Sequence, residues 1–450
     1  MPDNGHLSDI TDTYQTNIGH GESEESEGTE RRSLPSSWQV VKLGSIVRKK
    51  ITDGTHKTPI YTKTGIPFIS ANNIKKSHID FSSCKYISKE EHETLIKRCK
   101  PEKEDILLSK VGTLGLTTKV NENIEFSIFV QLALIKPNLD LVNPDFLKYV
   151  LESNKMQDQI NLMASQSTMK YIGVQKISEL KIPLPNISEQ KKIASVLLAL
   201  QKAKEEIESV IEATNSLKKS LMNHLFIYGP VSVENVKNLS LKETEIGLIR
   251  AEWDIKMLTE IVLKTPGVNP KNFPEKIFKY IDVSSISRDS LKINSYSEYK
   301  GSEAPSRAKR LLKTNDVLFA TIRPKLKRVA LVNSDFNEQI CSTAFCILRV
   351  DKKKVDPYYL FSVVSNDSFV DRVSSHQRGS SYPAVSNKDV LNQVIPIPPL
   401  DIQREIGNVI LKIDKKIEAE KNKKKALEEL YKTILNGLMT AKIRVNDLDI

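Results

Sequence analysis

The sequence predicts an α+β fold: two homologous mixed α/β domains separated by two long antiparallel helices that form a coiled coil, a pseudo-two-fold internal repeat. Three observations predict it. Two stretches carry apolar residues at helical spacing for far longer than an ordinary helix. Each is introduced by a proline-bracketed run, Pro183-Leu184-Pro185 and Pro396-Ile397-Pro398. Motifs through the whole chain recur at a near-constant offset.

The first helix is predicted over 187–228. Asn186 is placed to cap it, with Glu189 as a capping-box partner. Its stripe reads Ile193, Val196, Leu200, Ala203, Ile207, Val210, Thr214, Leu217, Leu221, and no Gly or Pro intervenes before Gly229-Pro230. The stretch from Ile187 to Leu225 alone, some 39 residues of helix, spans about 58 Å at 1.5 Å per residue. A rod with one apolar stripe needs a partner helix. The second rod, predicted over 400–444 with Asp401 as its cap, supplies one through Ile406, Ile410, Ile413, Ile417, Leu427, Tyr431, Ile434, Leu438 and Ala441. Glu420 and Lys424 interrupt that seam, either setting register or marking a solvated midpoint.

The repeat is explicit. Trp253-Asp254-Ile255 echoes Trp38-Gln39-Val40 at 215 positions, and Asp316-Val317-Leu318 echoes Asp105-Ile106-Leu107 at 211. Tyr280-Ile281 follows Phe68-Ile69 at 212, while Gln403 follows Gln190, and Leu430-Tyr431-Lys432 follows Leu217-Lys218-Lys219, at 213. Independent matches in one order make the chain two copies of a unit: a globular domain, then a long helix. The short route from the first helix to the second domain favours antiparallel packing.

In order, residues 1–37 form an acidic tail predicted to be disordered, since they hold almost no aliphatic side chains to offset ordering entropy. The first domain is predicted over 38–186, a linker over 229–250 and the second domain over 251–399. Within the first domain, Trp38–Leu43, Ile66–Ser70, Asp105–Lys110 and Phe129–Ile135 read as strands. Ser88–Arg98 and Asp145–Asn154 read as helices. Asp53–Pro59, Val111–Gly115 and Ala164–Lys170 read as loops.

At 450 residues the chain exceeds one ordinary core. Its net charge is +11, yet the tail carries eight acids against Arg31 and Arg32, a balance of −6, so the remainder holds +17. A body that basic points to a polyanion, most commonly nucleic acid. No apolar run approaches the ~20 residues of a membrane span, and no signal-peptide core opens the chain, so a cytoplasmic location is expected. Cys84, Cys99, Cys341 and Cys346 lack metal-ligand spacing and read as buried thiols.

No phosphate loop, HExxH or Gly-x-Ser-x-Gly is present. Asp145 with Glu179 and Lys181 superficially resembles a nuclease core, but Glu179 maps onto Asn392 in the second copy. The stronger signals are basic and amide-bearing loops at matching places. Arg323, Lys325 and Lys327, in Thr321–Arg328, occupy the place of Lys110 and Thr113, in Ser109–Thr113. Clustered cations suit phosphates, and arginine also reads guanine bidentately. Gln166, Ser167 and Lys170 correspond to Gln377 and Arg378, groups that suit base edges and backbone. Thr55, His56 and Lys57 complete the candidate DNA-binding set, with His56 equally suited to a structural loop role. No catalytic or metal-binding residue is expected.

The chain resembles the specificity subunit of type I restriction-modification systems, HsdS. Carrying the likeness are Asp53-Gly54-Thr55-His56-Lys57-Thr58-Pro59, Gly65–Ile69, Ser109–Gly115, Ile182–Pro185 with Glu189-Gln190, and Val394–Pro399 with Gln403–Ile406. The resemblance runs from Trp38 to the C-terminus. It implies two target-recognition domains, each reading one half of a split double-stranded DNA target. It further implies that the helices are a spacer and a docking surface for two methyltransferase (modification) subunits. Those partners would carry S-adenosylmethionine, and motor-nuclease (restriction) subunits would carry ATP and Mg. The chain itself would bind no cofactor, catalyse nothing and touch no membrane. Thr265-Pro266-Gly267-Val268, near the place of Asp53-Gly54-Thr55-His56, departs from the pattern, and the acidic tail lies outside it. The competing classes are a DNA-binding scaffold without an enzyme partner and a stand-alone nuclease.

Overall fold

In a computed structural model, the structure describes residues 34–75, 78–165, 169–379 and 383–445. The predicted tail up to residue 33, and the candidates Gln166 and Ser167, lie outside the described residues. The chain divides into two units: one runs to Leu197 and resumes at Thr433, and the other is Leu198–Lys432. Each long helix, Ile187–Tyr228 and Leu400–Met439, therefore begins in one unit and ends in the other.

The first unit is opened and closed by one strand pair, Gln39–Lys42 antiparallel to Lys181–Leu184. Between them lie two four-stranded sheets. One runs Thr52–Asp53, Leu132–Ile135, Ile106–Ser109, Thr117–Lys119; the other runs Tyr61–Thr62, Lys85–Ile87, Ile66–Ile69, Ser127–Ile128. Strand Ile106–Ser109 is buried throughout, as its continuous apolar run dictates. Around it Leu107, Leu132, Leu134, Phe126 and Ile69 form the core.

The second unit repeats this design. Asp254–Met257 pairs with Val394–Ile397 as Gln39–Lys42 pairs with Lys181–Leu184. Val317 opposes Leu348 as Ile106 opposes Ile135, and Tyr280 runs parallel to Ile340 as Phe68 does to Ser127. Polar locks repeat with the strands. Gln190 Oε1 accepts from Asn143 N (2.8 Å), while its Nε2 donates to Leu141 O (3.1 Å) and Pro185 O (2.8 Å). Gln403 makes the matching bonds to Asp356 N (3.0 Å), Lys354 O (3.2 Å) and Pro398 O (2.8 Å). Asp105 and Asp316, both buried, are held by Lys136 and by a bidentate Arg349.

Several elements differ from expectation. Asn186 caps the first helix through Glu189 N (2.9 Å), but the Glu189 carboxylate does not return to the cap. It accepts instead from Trp38 Nε1 (3.2 Å) and Arg444 (3.0 Å). Asp401 is not the cap of the second helix: Gln403 N bonds to Pro399 O, so the helix starts at Leu400 with Asp401 in its first turn. The helix predicted at Asp145–Asn154 is Pro144–Glu152, and a further helix, Asn154–Met163, follows a break at Ser153. Stretch 229–250, expected as linker, holds a hairpin of Leu241–Thr244 with Gly247–Arg250.

Within the second unit the helices run antiparallel. Lys218 Nζ lies 2.5 Å from Asp414 and Lys424 Nζ 2.8 Å from Glu208, so advancing along one helix retreats along the other. Val210 and Leu217, expected in the seam, are exposed; Ile211 and Lys218 face inward instead. Lys218 belongs there because Asp414 also accepts from Tyr358 Oη (2.8 Å), giving the ammonium a partly buried carboxylate. Lys424, read as a seam interruption, is thus a cross-helix ion-pair residue, and the second helix continues unbroken past it.

Candidate nucleic-acid interface

Two loops of the first unit are laced by main-chain hydrogen bonds to the segment Ile128–Gln131, and a third closes on the second. Thr55 N donates to Ile128 O (3.1 Å) and Val130 N to Thr55 O (3.0 Å), seating loop Asp53–Lys57. A Cβ on Gly54 would stand 2.0 Å from Ile128 O, so only glycine permits this approach. Lys110 N donates to Gln131 O (2.8 Å) at the start of the second loop. The third loop closes on the second: Gly112 N donates to Lys170 O (3.0 Å), Ile172 N to Lys110 O (2.9 Å) and Ser165 N to Tyr171 O (2.8 Å).

One buried carboxylate ties these loops electrostatically. Asp53, 5 % exposed, meets Lys110 Nζ at 3.0 Å, His56 Nε2 at 3.2 Å and the Arg98 guanidinium. Burial opposes its ionisation. The hydrogen bond and charge of Lys110, with His56 and Arg98, outweigh burial and hold the carboxyl below its usual range. Lys110 is itself buried, whereas His56 and Arg98 are mostly exposed. Asp53 thus presents two cationic or titratable groups outward while its own charge stays covered.

The second unit repeats the backbone and changes the side chains. Thr321 N donates to Ala344 O (2.9 Å), Arg323 N to Pro383 O (2.8 Å), Val385 N to Thr321 O (2.9 Å) and Arg378 N to Ala384 O (2.9 Å). Thr321, Arg323 and Ala384 therefore stand where Lys110, Gly112 and Tyr171 stand in the first unit. Gly112 and Arg323 even share the left-handed backbone, at φ +75° and +49°. An arginine accepts that region only at a steric cost of about 1–2 kcal/mol. The buried ion pair has no counterpart, since Thr321 bonds Ala344 O through its hydroxyl (2.9 Å). Loop Thr265–Val268 also differs: Gly267 bridges Arg310, and Val268 N bonds Lys309 O.

The structure thus brings together Thr55, His56, Lys57, Lys110, Thr113 and Lys170 in the first unit. Arg323, Lys325, Gln377 and Arg378 gather in the second. Two candidates are less available than their charge implied. Lys110 is engaged by Asp53, and Lys327 is held by Asp367 within a partly buried setting that, with Lys219 nearby, lowers its pKa. Arg328 is structural, donating to Val283 O (2.6 Å) and Ile286 O (2.9 Å). Arg378 lies 3.5 Å from Asp389 and is 75 % exposed at its side chain, leaving its fork accessible.

Sequence reasoning missed Arg98 and Tyr171. Arg98 lies in a different element from the loop it serves, at the end of a helix, and only folding brings it to Asp53. Tyr171 could have been found: it follows Lys170 in a polar loop that otherwise has no use for an aromatic. The nuclease resemblance dissolves, because Asp145 pairs with Lys119 (2.8 Å) and Glu179 with Lys42 (2.5 Å). Among the described residues no three His, Cys, Asp or Glu side chains could hold a metal ion, and no helix is long and apolar enough to cross a membrane.

The sequence model of the Methylase_S family, the type I restriction modification DNA specificity domain, matches residues 35–215 and 251–429. The chain is similar to the type I restriction enzyme MjaVIII specificity subunit of Methanocaldococcus jannaschii, with 25 % identity over 432 residues, 92 % of this chain and 95 % of that one. It is similar also to the EcoDI specificity subunit of Escherichia coli, with 20 % identity over 83 % of this chain and 80 % of the relative. Among solved structures, the type I restriction-modification S subunit from M. genitalium superposes with a TM-score of 0.55 at 16 % identity, covering 91 % of this chain and 97 % of that one. A chain from a study of type I restriction-modification complex assembly gives 0.56 at 16 % identity, covering 92 % and 100 %.

Proposed function

The chain belongs to the type I restriction modification DNA specificity family, with two copies of its domain, and from that premise we propose how the two copies divide the reading of DNA. Each reads one half of a split double-stranded target through its paired loops. The helices hold the half-sites apart and offer the docking surface for two methyltransferase subunits. Motor-nuclease subunits join that complex for cleavage. This chain catalyses no step: S-adenosylmethionine, ATP and Mg belong to the partners, and the complex works in the cytoplasm where its DNA is.

One observation carries this reading. The loop junction is held by the same main-chain hydrogen bonds in both copies, while the side chains it displays differ. A main-chain scaffold tolerates side-chain exchange, which is what a domain reading one of many half-sites requires. In the second copy Arg323 and Arg378 supply forks for guanine edges, and Lys325 supplies a phosphate contact. In the first, Lys57 and Lys170 take phosphates, Thr55 and Thr113 take base edges, and Asp53 presents His56 and Arg98. The matched seam pairs Lys218–Asp414 and Glu208–Lys424 support the spacer role, since they fix the helices' relative register.

The test is a footprint of the full chain with its modification partners on the DNA they modify. Two protected sequence-specific blocks flanking a sequence-indifferent gap are expected. A single continuous specific block would overturn the proposal.

A further inference from the structure

Large apolar side chains are exposed at the tip of the first unit's third loop. Met169 is 67 % exposed and Tyr171 52 % exposed, and they bracket Lys170. The loop is not slack there. Tyr171 O accepts from Ser165 N, Tyr171 N is held by Ser165 Oγ at 3.1 Å, and Tyr171 bridges Val111 in the neighbouring loop. The ring therefore stands on a backbone pinned on both sides, next to the exposed glycine loop at Gly112 and Thr113.

We infer that Met169 and Tyr171 enter the DNA of the first half-site as an apolar wedge that unstacks a base step. The inference rests on the reading of this domain as a DNA reader. Exposed apolar groups on a basic surface gain most from a partner that is both anionic and stackable. DNA is such a partner, its phosphates facing Lys170 and Lys57 and its base faces meeting the ring. Gly112, with no side chain, leaves room for bases to approach: a Cβ built there meets nothing within 4 Å. Among the described residues, the second unit's equivalents of Lys170 and Tyr171 are Pro383 and Ala384, and its equivalent of Gly112 is Arg323, so no ring stands at the place of Tyr171. The first half-site then depends on how readily a base step deforms as well as on base edges.

The experiment uses the full chain assembled with its modification partners and a duplex carrying the target found by mapping modified bases. 2-Aminopurine is placed at successive steps of each half-site away from the modified base, which a methyltransferase itself flips out of the stack. Wild type is expected to raise fluorescence at one step of the first half-site. Tyr171→Ala should abolish that signal and weaken binding about tenfold, with the salt slope unchanged because no phosphate contact is lost. Tyr171→Phe should keep both, and Met169→Ser should reduce both. As Tyr171 is half exposed, thermal unfolding of the Ala variant should match wild type. Unchanged binding in Tyr171→Ala, or lost binding with the fluorescence retained, overturns the wedge while leaving the domain a DNA reader. Failure of the wild-type complex to prefer the mapped duplex would sink the reading beneath it as well.

Discussion

The two domains are alike where main chain meets main chain and unlike where side chains face outward. Gln190 and Gln403 close the same three backbone groups in each copy. Yet at the loop junction Lys110, Gly112 and Tyr171 give way to Thr321, Arg323 and Ala384. The difference extends inside. Trp38 donates to Glu189, whereas Trp253, fully buried, has Ile402 at the corresponding place and leaves its Nε1 without a partner. Duplication has kept the frame and let the two copies solve burial and display separately. Main-chain bonds make that possible, because they survive any side chain the local φ and ψ admit.

The largest expected effect comes from lengthening the helices that join the two domains. One heptad inserted between Glu208 and Lys218, with another between Asp414 and Lys424, keeps both ion pairs in phase. It lengthens the rod by about 10.5 Å, roughly three base pairs at 3.4 Å. Modification of native sites should be lost and reappear at sites with a longer gap and the same half-sites. Sequencing of modified DNA checks this, and an unchanged gap with activity retained would remove the helices as the ruler.

Next is the buried charge present in one domain alone. Asp53→Ala strands Lys110 and should destabilise the first unit by about 3–5 kcal/mol, while Thr321→Ala in the second should cost about 1 kcal/mol. Because the folded Asp53 carboxyl is depressed, its contribution is whole above the unfolded value near pH 4 and is lost as pH falls through the folded one. Urea titrations across acid pH should show this dependence in wild type and not in the Ala variant. Equal costs for the two substitutions would erase the contrast.

Smaller effects sharpen the shared frame. Glu189→Ile makes the first domain copy the second at this point, leaving Trp38 Nε1 and Arg444 without their acceptor, at about 2 kcal/mol. Gln190→Ala and Gln403→Ala should each cost about 1–3 kcal/mol and, more to the point, nearly the same amount. Hydrogen exchange at Asn143 and Asp356 reads the two locks separately. A large inequality would mean the copies share topology but not energetics.

Much of this was legible in the sequence because it lies in periodicity and repetition. The offsets near 213 that relate Pro183, Gln190 and Leu217 to Pro396, Gln403 and Leu430 are the offsets that relate the strand pairs. The helices were legible from their stripes. Their facing residues were less so, because a stripe four residues wide leaves two phases open, and Asp414 with Tyr358 selected Lys218 over Leu217. Glu189 was misassigned for a related reason: a capping-box carboxylate reads as local until Trp38 and Arg444 arrive from distant sequence. The loops Thr321–Arg328 and Ser109–Thr113 were matched correctly by order alone. What each cation does was not legible. Lys327 and Arg328 look like Lys325 in sequence, but folding gives them Asp367 and two carbonyls.

In the proposed mechanism each domain reads its own half-site from an exchangeable side chain on a shared backbone junction. Arg323→Gly tests it most directly, since glycine is what the first domain carries there and the left-handed backbone at φ +49° suits it. The fold should be retained, since the left-handed backbone there no longer carries a Cβ. Sequencing the DNA modified by the variant complex should then show one position of one half-site relaxed, a discrimination loss of about 1–3 kcal/mol, with the other half-site and the gap intact. Relaxation of both half-sites, or an unaltered target, would rule out readout by Arg323.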